Sequence, residues 1–325
     1  MDDLLQKMRS GDRRALARLI SLVEDRDPAV RGLLSKVYNE REKIRTIGIT
    51  GPPGAGKSSL TDQVIAILRG RGQTVAIAAI DPSSPFTGGA LLGDRIRMNR
   101  HATDEGVFIR SFGTRGSLGG LSHATREVLL LYAAAGFDWA VVETVGVGQT
   151  ELDIVDVTDT TIVVLVPEAG DTVQTMKAGL TEIADVFVVN KSDREGAQRM
   201  KADLELMVHL KDDPEWTVPV LLTQANAGGG VPELLAGIER HREVLAKSPR
   251  KAARRAEARK AEFLEIVLEE LSERLALSLK EKDLSSVREA LASGKTNPYA
   301  AALDLLQDEK ALLAALRAGQ SILKS

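Results

Sequence analysis

The residues of this chain best equipped for chemistry are Gly51-Pro52-Pro53-Gly54-Ala55-Gly56-Lys57-Ser58-Ser59, a run that spells G-x-x-x-x-G-K-S. A backbone rich in glycine here can curl so that its N–H groups converge on a polyphosphate at a helix N-terminus. Lys57 then supplies a cation for the β- and γ-phosphates, and the Ser58 hydroxyl suits Mg²⁺. A second run, Glu143-Thr144-Val145-Gly146, places an acid three residues before a glycine. The acid can reach Mg²⁺ or its water, and the Gly146 N–H can meet the γ-phosphate. Most such switches carry Asp where this chain has Glu143. The position after Gly146, often a water-orienting Gln, is Val147; the nearest substitute is Gln149, so slow intrinsic hydrolysis is expected. A third run, Asn190-Lys191-Ser192-Asp193, follows a Val-rich strand. Asp193 can accept from the guanine N1–H and 2-amino group together, Lys191 can lie along the base, and Asn190 can tie neighbouring loops. Paired hydrogen bonds of this kind discriminate steeply between bases. Thr223-Gln224-Ala225 closes the series, with the Ala225 N–H expected on guanine O6. The ligands implied are GTP and GDP with Mg²⁺.

Further polar groups fall between these runs. Asp81 and Asp94 bracket a Gly-rich stretch with the makings of a switch, and hard cations prefer carboxylate oxygens; capping a helix is the competing role for each. Arg110 and Arg115 flank a Gly-rich loop and suit phosphates or a partner's carboxylates, and a solvated turn explains them nearly as well. Asp171, Gln174 and Lys177 stand three residues apart, as on one helical face, and fit a capped helix start as well as a nucleotide contact. The four histidines (His101, His123, His209, His241) have no metal-binding spacing.

These residues need a scaffold that brings distant loops together. Apolar runs at 45–50, 75–80, 107–111, 139–142, 161–166, 186–190 and 218–223 alternate with helical patterns. This predicts an α/β fold, a parallel P-loop NTPase sheet covered by helices on both faces, with the ligand at the carboxyl ends of its strands. Residues 1–44 form a helical extension that looks separate from the core, and a packing appendage on the nucleotide domain is the favoured reading of it. Leu16, Leu19, Ile20 and Val23 recur at helical spacing, as do Val30, Leu33, Leu34 and Val37 after Asp27-Pro28. Residues 45–247 make the nucleotide domain. Residues 248–325 form a C-terminal helical arm: one long helix over 252–280 with Leu264, Leu268, Leu271, Leu275 and Leu279 in a stripe that Phe263 and Val267 widen, and a last helix over about 299–318. A long stripe must bury itself on something, and a second copy of the chain is the reading favoured over a self-contained domain.

The 325 residues carry a formal net charge of -3, which argues against nucleic acid as partner. Cysteine is absent, which removes disulfides, thiolate zinc sites and cysteine nucleophiles. The acidic, amphipathic start is unlike a signal peptide, and no apolar run reaches the ~20 residues of a membrane span. A cytoplasmic protein that binds neither membrane nor nucleic acid is expected.

Taken in order, GPPGAGKSSL, DPSSPFTGGALLGDRIRM, RGSLGGL, ETVGVGQTE, GDTVQTMKAGL and NKSD resemble the MeaB/ArgK/MMAA family, G-protein chaperones of adenosylcobalamin-dependent methylmalonyl-CoA mutase and related acyl-CoA mutases. The resemblance spans essentially the whole chain. It implies a homodimer held by the C-terminal arm, and GTP hydrolysis that gates cofactor delivery to the mutase and protects it. By motif, it implies that Lys57 and Ser58 bind phosphates and Mg²⁺, and that Asp81, Asp94 and Glu143 are metal and switch acids. Lys177 would belong to a third switch that couples the partner to the nucleotide, joining Lys57, Glu143 and Gln149 in catalysis. Gln224 stands where Ser is usual. No D-x-H-x-x-G motif for ligating cobalamin is present, so the cofactor is expected on the partner. Two other activities compete with this one. A P-loop kinase would need an acceptor pocket and a base, and a nickel-enzyme maturation GTPase would need Cys and His ligands.

Overall fold

The computed structural model describes residues 1–81, 99–101, 103–113, 120–144, 153–169, 182–209, 215–280 and 284–324. They divide into two compact units, Met1–Ser248 and Pro249–Ser325.

The first unit is built on a seven-stranded, all-parallel sheet: β1 Arg45–Thr50, β2 Val75–Asp81, β3 Val107–Gly113, β4 Trp139–Thr144, β5 Thr160–Leu165, β6 Val186–Val189 and β7 Val220–Leu222. Their order is β3-β2-β4-β1-β5-β6-β7. Each expected strand is present, because both faces of a parallel sheet are buried and its strands read as continuous Val/Ile/Ala runs. Alternate residues feed two cores. Val163 and Leu165 of β5 enter one, Ile162 and Val164 the other. Helix α4 (Lys57–Gly70) and helix α7 (Val231–Lys247) close the second face. The first face is covered by α5 (Gly120–Ala134), α6 (Ala197–His209) and the N-terminal helices α1 (Asp2–Arg9), α2 (Arg13–Glu24) and α3 (Pro28–Val37).

Those N-terminal helices do not stand apart. Leu16, Leu19, Ile20 and Val23 of α2, with Val30, Leu33, Leu34 and Val37 of α3, share one buried cluster with Val128–Ala134 of α5 and with the sheet. Arg110 of β3, weighed above as a phosphate contact, turns instead to Ser21 and Glu24 of α2. Asp12 and Asp27 cap α2 and α3 by accepting from backbone N–H groups, each worth about 1 kcal/mol.

The second unit holds α8 (Pro249–Lys280), α9 (Ser285–Ala292), α10 (Pro298–Gln307) and α11 (Glu309–Lys324). The last helix expected from the sequence is thus two. Asp308 leaves helical geometry at φ -88°, ψ 86°, and its carboxylate accepts from Ala311 N at 3.0 Å, so it ends one helix and caps the next. Within this unit α8 packs on α11, burying Ser278 and Ala315, while Phe263, Leu264 and Leu268 of the stripe are exposed. Among the described residues no helix is long and apolar enough to cross a membrane.

Candidate nucleotide site

Since every strand is parallel, the ends of β1, β4, β5, β6 and β7 lie along one edge, and the chain leaves each there. Strand β1 sits between β4 and β5, so the loop from β1 into α4 emerges where the strand order reverses, the usual ligand crevice of open α/β sheets. Three glycines shape that loop with left-handed backbone: Gly51 at φ +136°, Gly54 at +75° and Gly56 at +86°. Gly51 is the most confined. A Cβ there would lie 2.1 Å from the Val164 carbonyl oxygen, a backbone atom that cannot turn aside. Gly51→Ala is therefore expected to destabilise the protein by about 3 kcal/mol or more and to abolish nucleotide binding. Gly54→Ala, with open space around its Cβ, is expected to cost only about 1–2 kcal/mol. Denaturant titration of both variants checks this; equal midpoints would overturn it.

The loop borders a cavity of ≈ 450 Å³, within the ~300–1,000 Å³ of small-molecule sites. Pro53, Gly54, Gly56, Lys57, Ser58 and Ser59 line one end. The Lys57 ammonium is buried and donates to the carbonyls of Gly51 (2.6 Å) and Pro52 (3.1 Å). Glu143 reaches the same end from β4, where it is paired in register with Ile49 of β1. Its carboxylate accepts from Ser58 Oγ at 2.6 Å and from Thr61 Oγ1 at 2.8 Å. Next to it, Thr144 Oγ1 donates to Thr50 Oγ1 at 3.0 Å, joining the ends of β4 and β1. Ser58 and Glu143 thus present adjoining hard oxygen donors at a phosphate loop, a set that fits Mg²⁺.

The other end is lined by Asn190, Lys191, Asp193, Arg194, Gln224, Ala225 and Asn226. Asn190 is its hub. Its Nδ2 donates to the Ala55 carbonyl at 2.8 Å, while its Oδ1 accepts from Thr223 Oγ1 and from Ala225 N, each at 3.1 Å. Three loops meet on one amide, the tie expected of Asn190. Next to it, Lys191 is held at φ +57° without being glycine, and backbone strain of this kind clusters at binding sites. Beyond it, Arg194 forms an ion pair with Glu168, which follows β5.

Several of the expected residues have contacts of their own. The Ala225 N–H, expected on guanine O6, donates to Asn190 Oδ1, and Ala225 lines the cavity. Thr223 is fully buried and donates to the same Oδ1. Gly51, Pro52 and Ala55 contribute carbonyls to Lys57 and Asn190. Asp81 closes β2, with its carboxylate outside the described atoms. Asp94, Arg115, Gly146, Val147, Gln149, Asp171, Gln174 and Lys177 lie outside the described residues. Of the residues not anticipated, Thr61 falls three positions after Ser58, on the same helical face, and Arg194 directly follows the base-reading tetrad. The spacing pointed to both.

Known proteins share this sequence and fold. The family model described as methylmalonyl Co-A mutase-associated GTPase MeaB matches residues 16–280. A protein of Pyrococcus abyssi, named as a candidate GTPase, is 46% identical over 312 residues, covering 95% of this chain and 96% of its own. The methylmalonic aciduria type A homolog of Mus musculus, a mitochondrial protein, is 32% identical over 94% of this chain and 78% of its own. Among solved structures, that of a LAO/AO transport system kinase superposes with a TM-score of 0.68 at 27% identity, covering 94% of this chain and 96% of its own. Sequence, sheet and site converge: this chain belongs to the MeaB family of methylmalonyl-CoA mutase-associated GTPases.

Proposed function

We propose that this GTPase is a nucleotide-timed chaperone of an adenosylcobalamin-dependent acyl-CoA mutase, methylmalonyl-CoA mutase by the family's name, gating cofactor loading and protecting the loaded enzyme. One observation carries the reading. The phosphate loop, the acid Glu143 and the guanine loop share one cavity inside a chain whose match to a mutase-associated family runs over residues 16–280. In this reading Lys57 neutralises the β- and γ-phosphates, Ser58 and Glu143 hold Mg²⁺, and Asp193 with Lys191 reads guanine. Mg²⁺, when bound, would neutralise charge developing on the phosphate oxygens. Glu143 keeps the Ser58 hydroxyl oriented by accepting its proton, leaving the oxygen lone pairs for the cation. Asp94, Gly146, Gln149 and Lys177 complete the proposal as switch and catalytic groups carried by motif, with Asp81 as a further metal acid.

A phosphotransferase is the competing reading, prompted by the kinase in the name of the solved relative. Among the described residues lining the cavity the carboxylates are Glu143 and Asp193. The first is held by two hydroxyls of α4 and the second sits at the base end, so neither is placed as an acceptor's base. Single-turnover hydrolysis of labelled GTP, with and without the mutase, tests the proposal. Label on water alone and a faster rate with the mutase support it; label on another acceptor, or no change in rate, overturns it.

We further propose a homodimer through the C-terminal unit, residues 249–325. Phe263, Leu264 and Leu268 of α8 and Tyr299, Leu303 and Leu306 of α10 are exposed, large apolar side chains that a second copy of the chain would cover. Both hydrophobic clusters of the nucleotide unit lie within residues 1–248, so truncation after Lys247 is expected to give a monomer that still binds GDP. Light scattering checks this; an intact protein found monomeric at micromolar concentration counts against the arm.

A further inference from the structure

Glu143 poses a problem that the more usual aspartate would not. It has one more rotatable bond, and the last torsion of a glutamate is broad rather than confined to sharp wells. Its backbone is fixed by register against Ile49 of β1 and Ala79 of β2, and the residue is 1% exposed. The side-chain torsions are left to set, and two hydroxyls of α4 bear on them, one at each oxygen: Ser58 on Oε1 and Thr61 on Oε2. Thr61 is itself fully buried. A hydroxyl in a helix interior commonly bonds back to a carbonyl one turn earlier; this one is directed across to the strand. Threonine also delivers its oxygen more rigidly than serine, because β-branching restricts χ1.

We propose that Thr61 is a positioning residue for GTP hydrolysis. Its hydroxyl fixes the final torsion of Glu143, so that Oε1 stays on the Ser58 hydroxyl and the pair remains set for a divalent cation. Without the Thr61 oxygen, Oε2 of this nearly buried carboxylate loses a donor, and the carboxylate rotates to recover one. The inference rests on the nucleotide-site reading above and goes beyond it in assigning a role to a residue outside the phosphate-loop and switch motifs.

The test uses the full-length protein with Thr61→Val, which keeps the shape and removes the hydroxyl, and Thr61→Ser, which keeps the hydroxyl. GDP affinity is measured by calorimetry in EDTA and across a Mg²⁺ titration, and GTP turnover is measured across the same titration. Thr61→Val is expected to raise the Mg²⁺ needed for half-maximal effect about tenfold and to slow turnover at saturating Mg²⁺ by a similar factor, in keeping with the loss of one hydrogen bond to a charged group. GDP affinity in EDTA is expected to stay at the wild-type value, and Thr61→Ser to restore the Mg²⁺ dependence to within about twofold. Wild-type Mg²⁺ dependence in Thr61→Val overturns the inference. So does a Thr61→Ser protein as impaired as Thr61→Val, or a loss of GDP affinity in EDTA, which would make Thr61 a packing residue. A wild-type protein that binds no GDP at all would instead overturn the reading of the site.

Discussion

Asp193→Asn is expected to weaken GDP and GTP binding by about 10²–10⁴-fold while leaving the weak, phosphate-driven affinity for ATP unchanged. Asp193 lines the cavity together with Lys191 and Asn190. There it can accept two hydrogen bonds from guanine, each to a charged acceptor and worth about 1.5–3 kcal/mol, with every ~1.4 kcal/mol a factor of ten. Asparagine keeps one acceptor and turns a donor towards the base. The fold should survive, since the described ties of the loop run through Asn190 and the backbone: Ser192 N to Thr223 O at 3.0 Å, Arg194 N to Lys191 O at 2.9 Å. Xanthine carries a carbonyl where guanine has its amino group, so the variant should gain affinity for xanthosine nucleotides. Calorimetry with GDP, ADP and XDP measures all three effects. Equal affinity of the unmutated protein for GDP and ADP would remove the guanine assignment.

The second large effect is expected from the partner. A GTPase whose catalytic group is supplied or repositioned by another protein gains about 10³–10⁵-fold, and the position after Gly146 is Val147 rather than a water-orienting side chain. Hydrolysis alone should be slow, and the acyl-CoA mutase should accelerate it by a factor approaching that range. Lys177→Ala is expected to keep GTP affinity and basal turnover near wild type and to lose most of the acceleration. Residue 170 follows the Pro167–Ala169 turn, whose Glu168 pairs with Arg194 at the edge of the base-reading loop. Rates measured with and without mutase, for wild type and Lys177→Ala, decide it; equal acceleration of the two proteins would remove Lys177 from the mechanism.

The strands were legible because burial on both faces forces runs such as Val75–Ile80 and Val186–Val189 to be apolar throughout. The phosphate loop and the guanine tetrad were legible because few residue types satisfy their backbone and hydrogen-bonding demands. What stayed hidden depends on competition for a single atom. No spacing rule says whether the Ala225 N–H goes to a ligand or to Asn190, since that depends on where a residue 35 positions away places its amide. The division at Asp308 was missed for a related reason. Leucine periodicity runs across it, and only the capping preference of an aspartate marks the break. The membership of α2 and α3 in the core was likewise invisible to periodicity, which shows that a helix has a buried face and never against what.

The amide of Asn190 has a consequence for how the protein is made. It bonds to Ala55 across 135 residues of chain, and the same amide crowds Gly56 so closely that a Cβ there would meet its nitrogen at 2.3 Å. A nascent chain that has released only its phosphate loop therefore lacks the group that braces it. At about 5–20 residues per second of synthesis, the ribosome needs roughly 7–27 s to carry the chain from one partner to the other. During that interval the central strand β1 has neither its β4 nor its β5 neighbour for most of the time, and ordering by nucleotide cannot begin. Cotranslational folding of this GTPase should therefore be late and abrupt, with GTP acting as a ligand of the finished sheet and never as a template for its assembly.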